Sequence, residues 1–114
     1  MITLENLKAF GADTDTGLSR CMNNAGFYLR LVNMELNDQN FSRLQDALAA
    51  GNTKDAFEAA HALKGALGNL SLTPIYTPVA QLTELLRGAE GPADTGDLGK
   101  QVQDAVNALR ALAE

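Results

Sequence analysis

Ala60-His61-Ala62-Leu63-Lys64-Gly65-Ala66-Leu67-Gly68-Asn69-Leu70 contains the only histidine of the chain. Helical periodicity continues on both sides of it. At ~100° per residue, His61, Lys64, Gly65 and Gly68 share one narrow stripe. Ala56, Leu63, Leu67 and Leu70 fall on the opposite side, so the histidine surface and the core surface of this helix are separate. A glycine inside a helix costs ~1 kcal/mol relative to alanine. Two of them on the histidine's face imply that something approaches the backbone closely there. Phe57, one turn before His61, flanks the stripe, either as an apolar anchor for a partner or folded over the bundle edge into the core. Taken singly, a surface histidine, a lysine one turn on, or glycines that let a neighbouring helix pack closely are ordinary features. The four-residue stripe as a unit points to a histidine that a large partner must reach.

The bulk properties narrow the function classes. A chain of 114 residues, 46% apolar, is sized for one globular domain spanning residues 1–114. The net charge is −5, from 14 acidic against 9 basic residues, and no basic cluster occurs. Binding driven by nucleic-acid phosphates or by an anionic membrane is therefore not expected. Cys21 is the only cysteine, which fits a reducing compartment. One histidine and one cysteine cannot close a zinc site of nitrogen and sulfur ligands, and no metal site is expected. No apolar run approaches the ~20 residues needed to span a bilayer. Met1-Ile2-Thr3-Leu4-Glu5-Asn6 has no basic start or apolar stretch, so it does not read as a signal peptide. The expected location is the cytoplasm.

Every long segment has helical rather than alternating periodicity. Leu4, Leu7 and Phe10 predict a short helix stopping near Gly11. Thr14 or Asp15 is expected to cap a second short helix carrying Leu18, Cys21 and Met22, with a break at Asn23-Asn24. Phe27 to Ala50 reads as one long helix or two abutting ones, with a kink at Asn37-Asp38. Its predicted apolar face is Tyr28, Leu31, Val32, Met34, Phe41, Leu44 and Leu48. Gly51 is a helix stop, and Asn52 or Thr53 an N-cap for the histidine helix over 53–70. A following helix opens at Pro74 or Pro78, with Ile75, Val79, Leu82 and Leu85 facing inward. After a loop over 88–96, Leu98, Val102, Val106, Leu109 and Leu112 stripe a last helix. Short gaps make successive long helices antiparallel. The expected fold is all-α: an up-and-down antiparallel four-helix bundle with one or two short additional N-terminal helices.

The block His61-Ala62-Leu63-Lys64-Gly65-Ala66-Leu67-Gly68 resembles the motif His-x-Leu-Lys-Gly-x-x-Gly of histidine-containing phosphotransfer (HPt) domains of bacterial phosphorelays. The likeness extends upstream through Gly17-Leu18-Ser19-Arg20, Phe27-Tyr28-Leu29 and Leu44 to Asn52, and downstream through Ile75, Val79 and Leu82. It implies that His61 accepts a phosphoryl group from a receiver-domain aspartyl phosphate and passes it to another receiver aspartate. Lys64 would neutralise phosphoryl oxygens, and Phe57, Gly65 and Gly68 would seat the receiver. The implied partners are response-regulator receiver domains and a hybrid sensor histidine kinase, with the chain itself expected to be monomeric. Two positions depart from the family pattern. Ser71 stands where the family has glycine, which places the turn at Asn69 or gives it another geometry, because serine fits a left-handed turn poorly. Thr83 stands where many members have Gln or Glu to hold the second imidazole nitrogen. Thr83 and its neighbour Glu84 are thus the candidates for orienting His61.

The residues themselves support this chemistry. An exposed imidazole has an ordinary pKa of ~6.5 and is largely neutral at pH 7, when its ring nitrogen is a competent nucleophile. An ammonium one turn on matches phosphoryl oxygens. The chain has no glycine-rich nucleotide loop and is not expected to be an enzyme in its own right or to carry a cofactor. Mg²⁺ is expected from the receiver partner. The competing reading is a phosphorylation-independent adaptor that binds a receiver or kinase domain through the same face. A chemotaxis-type kinase module is a third, but the chain from Met1 to its last helical stripe reads better as a free-standing protein.

Overall fold

Capping side chains and left-handed turns divide the chain into seven α-helices. The structure is a computed structural model that describes all residues 1–114. The helices are α1 Leu4–Phe10, α2 Thr14–Arg20, α3 Ala25–Glu35, α4 Asn40–Ala50, α5 Thr53–Asn69, α6 Thr73–Leu86 and α7 Leu98–Leu112. No strand occurs. Thr3 and Asn6 cap α1 reciprocally, each accepting the other's backbone N–H. Asn24 and Asn52 cap α3 and α5 by accepting the amides of Phe27 and Asp55. Gly51, at φ 70°, ends α4 in the left-handed conformation that glycine adopts without a Cβ penalty.

One cap and two inward positions differ from expectation, and two boundaries with alternative readings are resolved. The cap of α2 is Asp13, not Thr14 or Asp15. Its carboxylate accepts the Thr16 amide at 3.2 Å and the Thr16 hydroxyl at 2.8 Å, while Thr14 is buried. The stretch from Phe27 to Ala50 is two abutting helices, because Asp38 Oδ1 accepts the Asn40 amide and restarts the helix there. Met34 is 60% exposed, since Val32 and Leu36, two positions either side, hold the inward direction. Helix α6 starts at Thr73 and keeps Pro78 inside it. The Leu72 carbonyl accepts both the Ile75 and Tyr76 amides, which fixes the first turn, and the Pro78 ring is buried. The inward stripe of α6 runs Ile75, Val79, Leu82, Leu86, which leaves Leu85 49% exposed.

Helix α5 packs along α4 on one side and α6 on the other. Helix α7 lies along α6 and also meets α4, so α4 to α7 form a ring around the core. Leu44, Leu63, Leu67, Ile75, Leu82, Val106 and Leu109 fill that ring and are essentially inaccessible to solvent. Helices α1 and α2 pack at its edges, against α7 and α3 respectively.

The C-terminus of α5 is tied down from three directions. The Leu72 amide donates to the Leu67 carbonyl at 3.1 Å and the Ser71 amide to the Gly68 carbonyl at 3.2 Å, the double closure of a Schellman motif. Ser71 is the left-handed residue, at φ 56°, so the turn stands at Ser71 and not at Asn69. The buried Tyr28 hydroxyl donates to the Leu70 carbonyl at 2.8 Å. The Arg20 guanidinium donates to the Gly68 carbonyl. Gly17 makes the Tyr28 anchor possible: a Cβ there would lie 2.6 Å from the tyrosine ring. A non-glycine residue in the left-handed region costs ~1 kcal/mol or more. Ser71→Gly is therefore expected to raise unfolding stability by about 1 kcal/mol, read as a higher urea midpoint at unchanged slope.

Candidate functional site

Helix α5 divides into two faces. Ala56, Ala59, Ala60, Leu63 and Leu67 are wholly buried between α4 and α6. Three alanines in that set let the flanking helices come close, so the opposite face stands proud of the bundle. That face carries Glu58, His61, Ala62, Gly65 and Asn69, all exposed. The sequence-based separation of core and histidine surfaces holds in the structure.

The surroundings of His61 differ on its two sides. Toward the C-terminal end of α5 lies Gly65, where an added Cβ would meet nothing within 4 Å. Gly65 therefore has no packing role inside the molecule, and the backbone beside His61 is open to an external surface. Gly68 is different. A Cβ there would come within 3.3 Å of the Tyr76 ring, so the missing side chain makes room for α6. The docking role expected of Gly68 is thus matched by an internal reason for the same glycine.

Toward the N-terminal end, Phe57 stacks on the His61 ring with centroids 5.6 Å apart and 19° between planes. Phe57 is half-buried against the core, so it is neither a fully projecting anchor nor a core residue. The Arg87 guanidinium lies over the same phenyl ring, 5.2 Å from its centroid. Arg87 also donates to Glu84, with Nη2–Oε1 3.3 Å and Nε–Oε2 3.4 Å. Lys64 Nζ stands 3.9 Å from the same Glu84 Oε1. The bonds from Arg87, and after them the Lys64 charge, hold the Glu84 carboxyl below the usual carboxylate range.

The two residues expected to orient His61 face elsewhere. Thr83 is fully buried, and its hydroxyl donates to the Val79 carbonyl at 2.8 Å, one turn back on its own helix. Glu84 is engaged with Arg87 and Lys64. No hydrogen bond joins either residue to the imidazole in this conformation, and the contact that sets the ring plane is Phe57. Arg87 is the member of the cluster that sequence reasoning missed. The signal for it was the spacing Glu84-x-x-Arg87 at the end of a helix packed along α5, which brings both charges beside the histidine helix.

On the far side of the stripe, α3 and α5 enclose a groove of ≈ 340 Å³ lined by Leu31, Met34, Glu35, Ala66, Asn69 and Leu70. Glu35 Oε1 is buried there without a hydrogen-bond partner. Burial, and then the neighbouring Asp38 carboxyl, push Glu35 up to about 8. A carboxyl raised above its ordinary 4.5 disfavours the folded state once ionised. Its effect is absent in acid and grows as pH rises from the ordinary value toward the folded one. Glu35→Gln is accordingly expected to leave thermal stability near pH ~4 unchanged and to raise it near pH ~9; melting curves at the two pH values check this.

An all-helical bundle that carries one exposed imidazole over an open helix face, with a cation one turn away, is the architecture of a phosphotransfer module. Comparison with known families makes the assignment: the Hpt domain model matches residues 32–112, and the chain belongs to that family. Membership gives it a histidine phosphotransfer role in phosphorelays, with receiver-type response regulators as the class of partner. Helices α1 and α2 precede the matched region. No curated protein and no solved structure matches the chain. No helix is long and apolar enough to cross a membrane.

Proposed function

We propose that this chain, acting as one domain over residues 1–114 in the cytoplasm, is a phosphorelay intermediate with His61 as its phosphoacceptor. The observation that carries this reading is the exposed imidazole beside the empty space over Gly65. A receiver domain can bring its phosphorylated aspartate down onto that face without meeting a side chain at position 65.

In the transfer step, the lone pair of a neutral imidazole nitrogen attacks phosphorus in line with the acyl-phosphate bond. The N–P bond forms as the O–P bond breaks, and the electron pair leaves with the aspartate carboxylate. The ring keeps its proton on the other nitrogen and carries the positive charge of a phosphorylated imidazolium. The reverse step returns the phosphoryl group to an aspartate of the same or a second receiver. Such transfer needs in-line placement and charge neutralisation more than covalent chemistry from the protein. Lys64 supplies a cation from this chain, and the receiver supplies its carboxylate pocket and Mg²⁺. A hybrid sensor histidine kinase is the natural origin of the phosphoryl group, and the chain acts as a monomer.

Transfer from a pre-phosphorylated receiver tests the assignment. Wild type is expected to take up acid-labile, alkali-stable label, and His61→Gln to take up none while keeping its fold. Label retained by His61→Gln would remove His61 from the reaction. Receiver binding without any label would assign the adaptor role instead. Lys64→Ala is expected to slow transfer on the order of tenfold.

Gly65 separates docking from stability. With nothing within 4 Å of an added Cβ, Gly65→Ala is expected to raise stability by about 1 kcal/mol. The same methyl group is expected to weaken receiver binding and slow transfer. A variant that is both more stable and fully active would show that no partner approaches the backbone there.

A further inference from the structure

Glu84 touches both cations that flank the histidine. Its Oε1 lies 3.3 Å from Arg87 Nη2 and 3.9 Å from Lys64 Nζ. Arg87 reaches the same neighbourhood by a second route, because its guanidinium and the His61 ring both rest on Phe57. These pairings are loose. Charge-assisted N–H···O bonds run to ~2.7–2.9 Å when tight, and all three contacts here are longer. The side chains of Lys64, Glu84 and Arg87 are 33%, 61% and 53% exposed. Ion pairs of that kind exchange readily and are weak.

A phosphoryl group on His61 changes the competition. It would bring about −1.5 to −2 charges and three acceptor oxygens, against the single charge of Glu84. Resting on the phosphoacceptor reading above, we propose that Glu84 is a positioning residue for the relay. It holds Lys64 and Arg87 while His61 is bare and yields them to the phosphoryl group when His61 carries one. Glu84 thereby moderates how firmly the phosphoryl group is held and keeps it transferable to the next aspartate. Arg87 joins Lys64 as the second cation of the phosphorylated state.

The test needs no receiver. Phosphoramidate phosphorylates an exposed imidazole chemically, and the phosphorus resonance then reports the midpoint at which the phosphorylated ring loses its proton, a proton held in place by the negative charge of the attached phosphoryl group. Cations gathered on that group lower the midpoint. Glu84→Gln is expected to lower it by about half a pH unit relative to wild type. The drop is expected to disappear when Glu84→Gln is made in a Lys64→Ala, Arg87→Ala background. An unchanged midpoint would overturn the proposal. So would an equal drop without the two cations, because Glu84 would then act only as a neighbouring charge. All three side chains are at least one-third exposed, so these substitutions leave the core intact. A failed receiver assay would overturn the relay reading alone, since this readout does not pass through a receiver.

Discussion

The rest of the structure depends on the close packing of one side of α5 against α4 and α6. Ala56, Ala59 and Ala60 put little bulk between the helices, and Leu63 and Leu67 fill the interior beyond them. Burying that side commits the other to solvent, because a helix has one orientation about its axis once a face is fixed. His61 is therefore exposed by the packing of its neighbours and not by any feature of its own. The far end of the helix is held by the Tyr28 hydroxyl, the Arg20 guanidinium and the Ser71 turn, all acting on carbonyls of the last turn. The Ser71 turn leads directly into α6 and sets the register of α5 against it, and with it the position of His61 relative to Glu84 and Arg87, while Tyr28 and Arg20 tie the same end of α5 to α3 and α2.

The electrostatics of the site follow from that register. Phe57 supports the imidazole on one side and lies beneath the Arg87 guanidinium, so an apolar ring organises two charged or ionisable groups. Glu84 balances the cations in the bare state. The net effect is a histidine with positive charge close by but already engaged. Such an arrangement suits an intermediate carrier, which must take up a phosphoryl group and also give it away. A site that bound the group as tightly as possible would serve the first task and obstruct the second.

Much of this was legible in the residues. The stripe of His61, Lys64 and Gly65 against a core face of Ala56, Leu63 and Leu67 follows from helical periodicity alone. Gly51 and Asn52 marked the boundary before α5 because their chemistry is local. What periodicity could not supply was contact between helices. Thr83 stands as an imidazole partner only through the resemblance, at the position where many family members carry Gln or Glu, yet its hydroxyl is spent on the Val79 carbonyl. The two glycines look alike in sequence, but only the structure shows Tyr76 filling the space at Gly68 and nothing filling it at Gly65. Ser71, where the family has glycine, points to a turn at Asn69 or to another geometry. Instead the paired carbonyl closures of the α5 terminus hold serine in the left-handed region at some local cost.

A single histidine makes the central claim directly measurable. The ring nitrogens of His61 give the only imidazole signals in a ¹⁵N-labelled sample of this chain. Their spectrum can be followed while a phosphorylated receiver domain and Mg²⁺ are added. The expected result is that one ring nitrogen shifts and acquires coupling to phosphorus as the receiver loses its phosphoryl group. Unchanged ring signals in a protein that has nevertheless bound the receiver would contradict the assignment of His61 as the phosphoryl carrier.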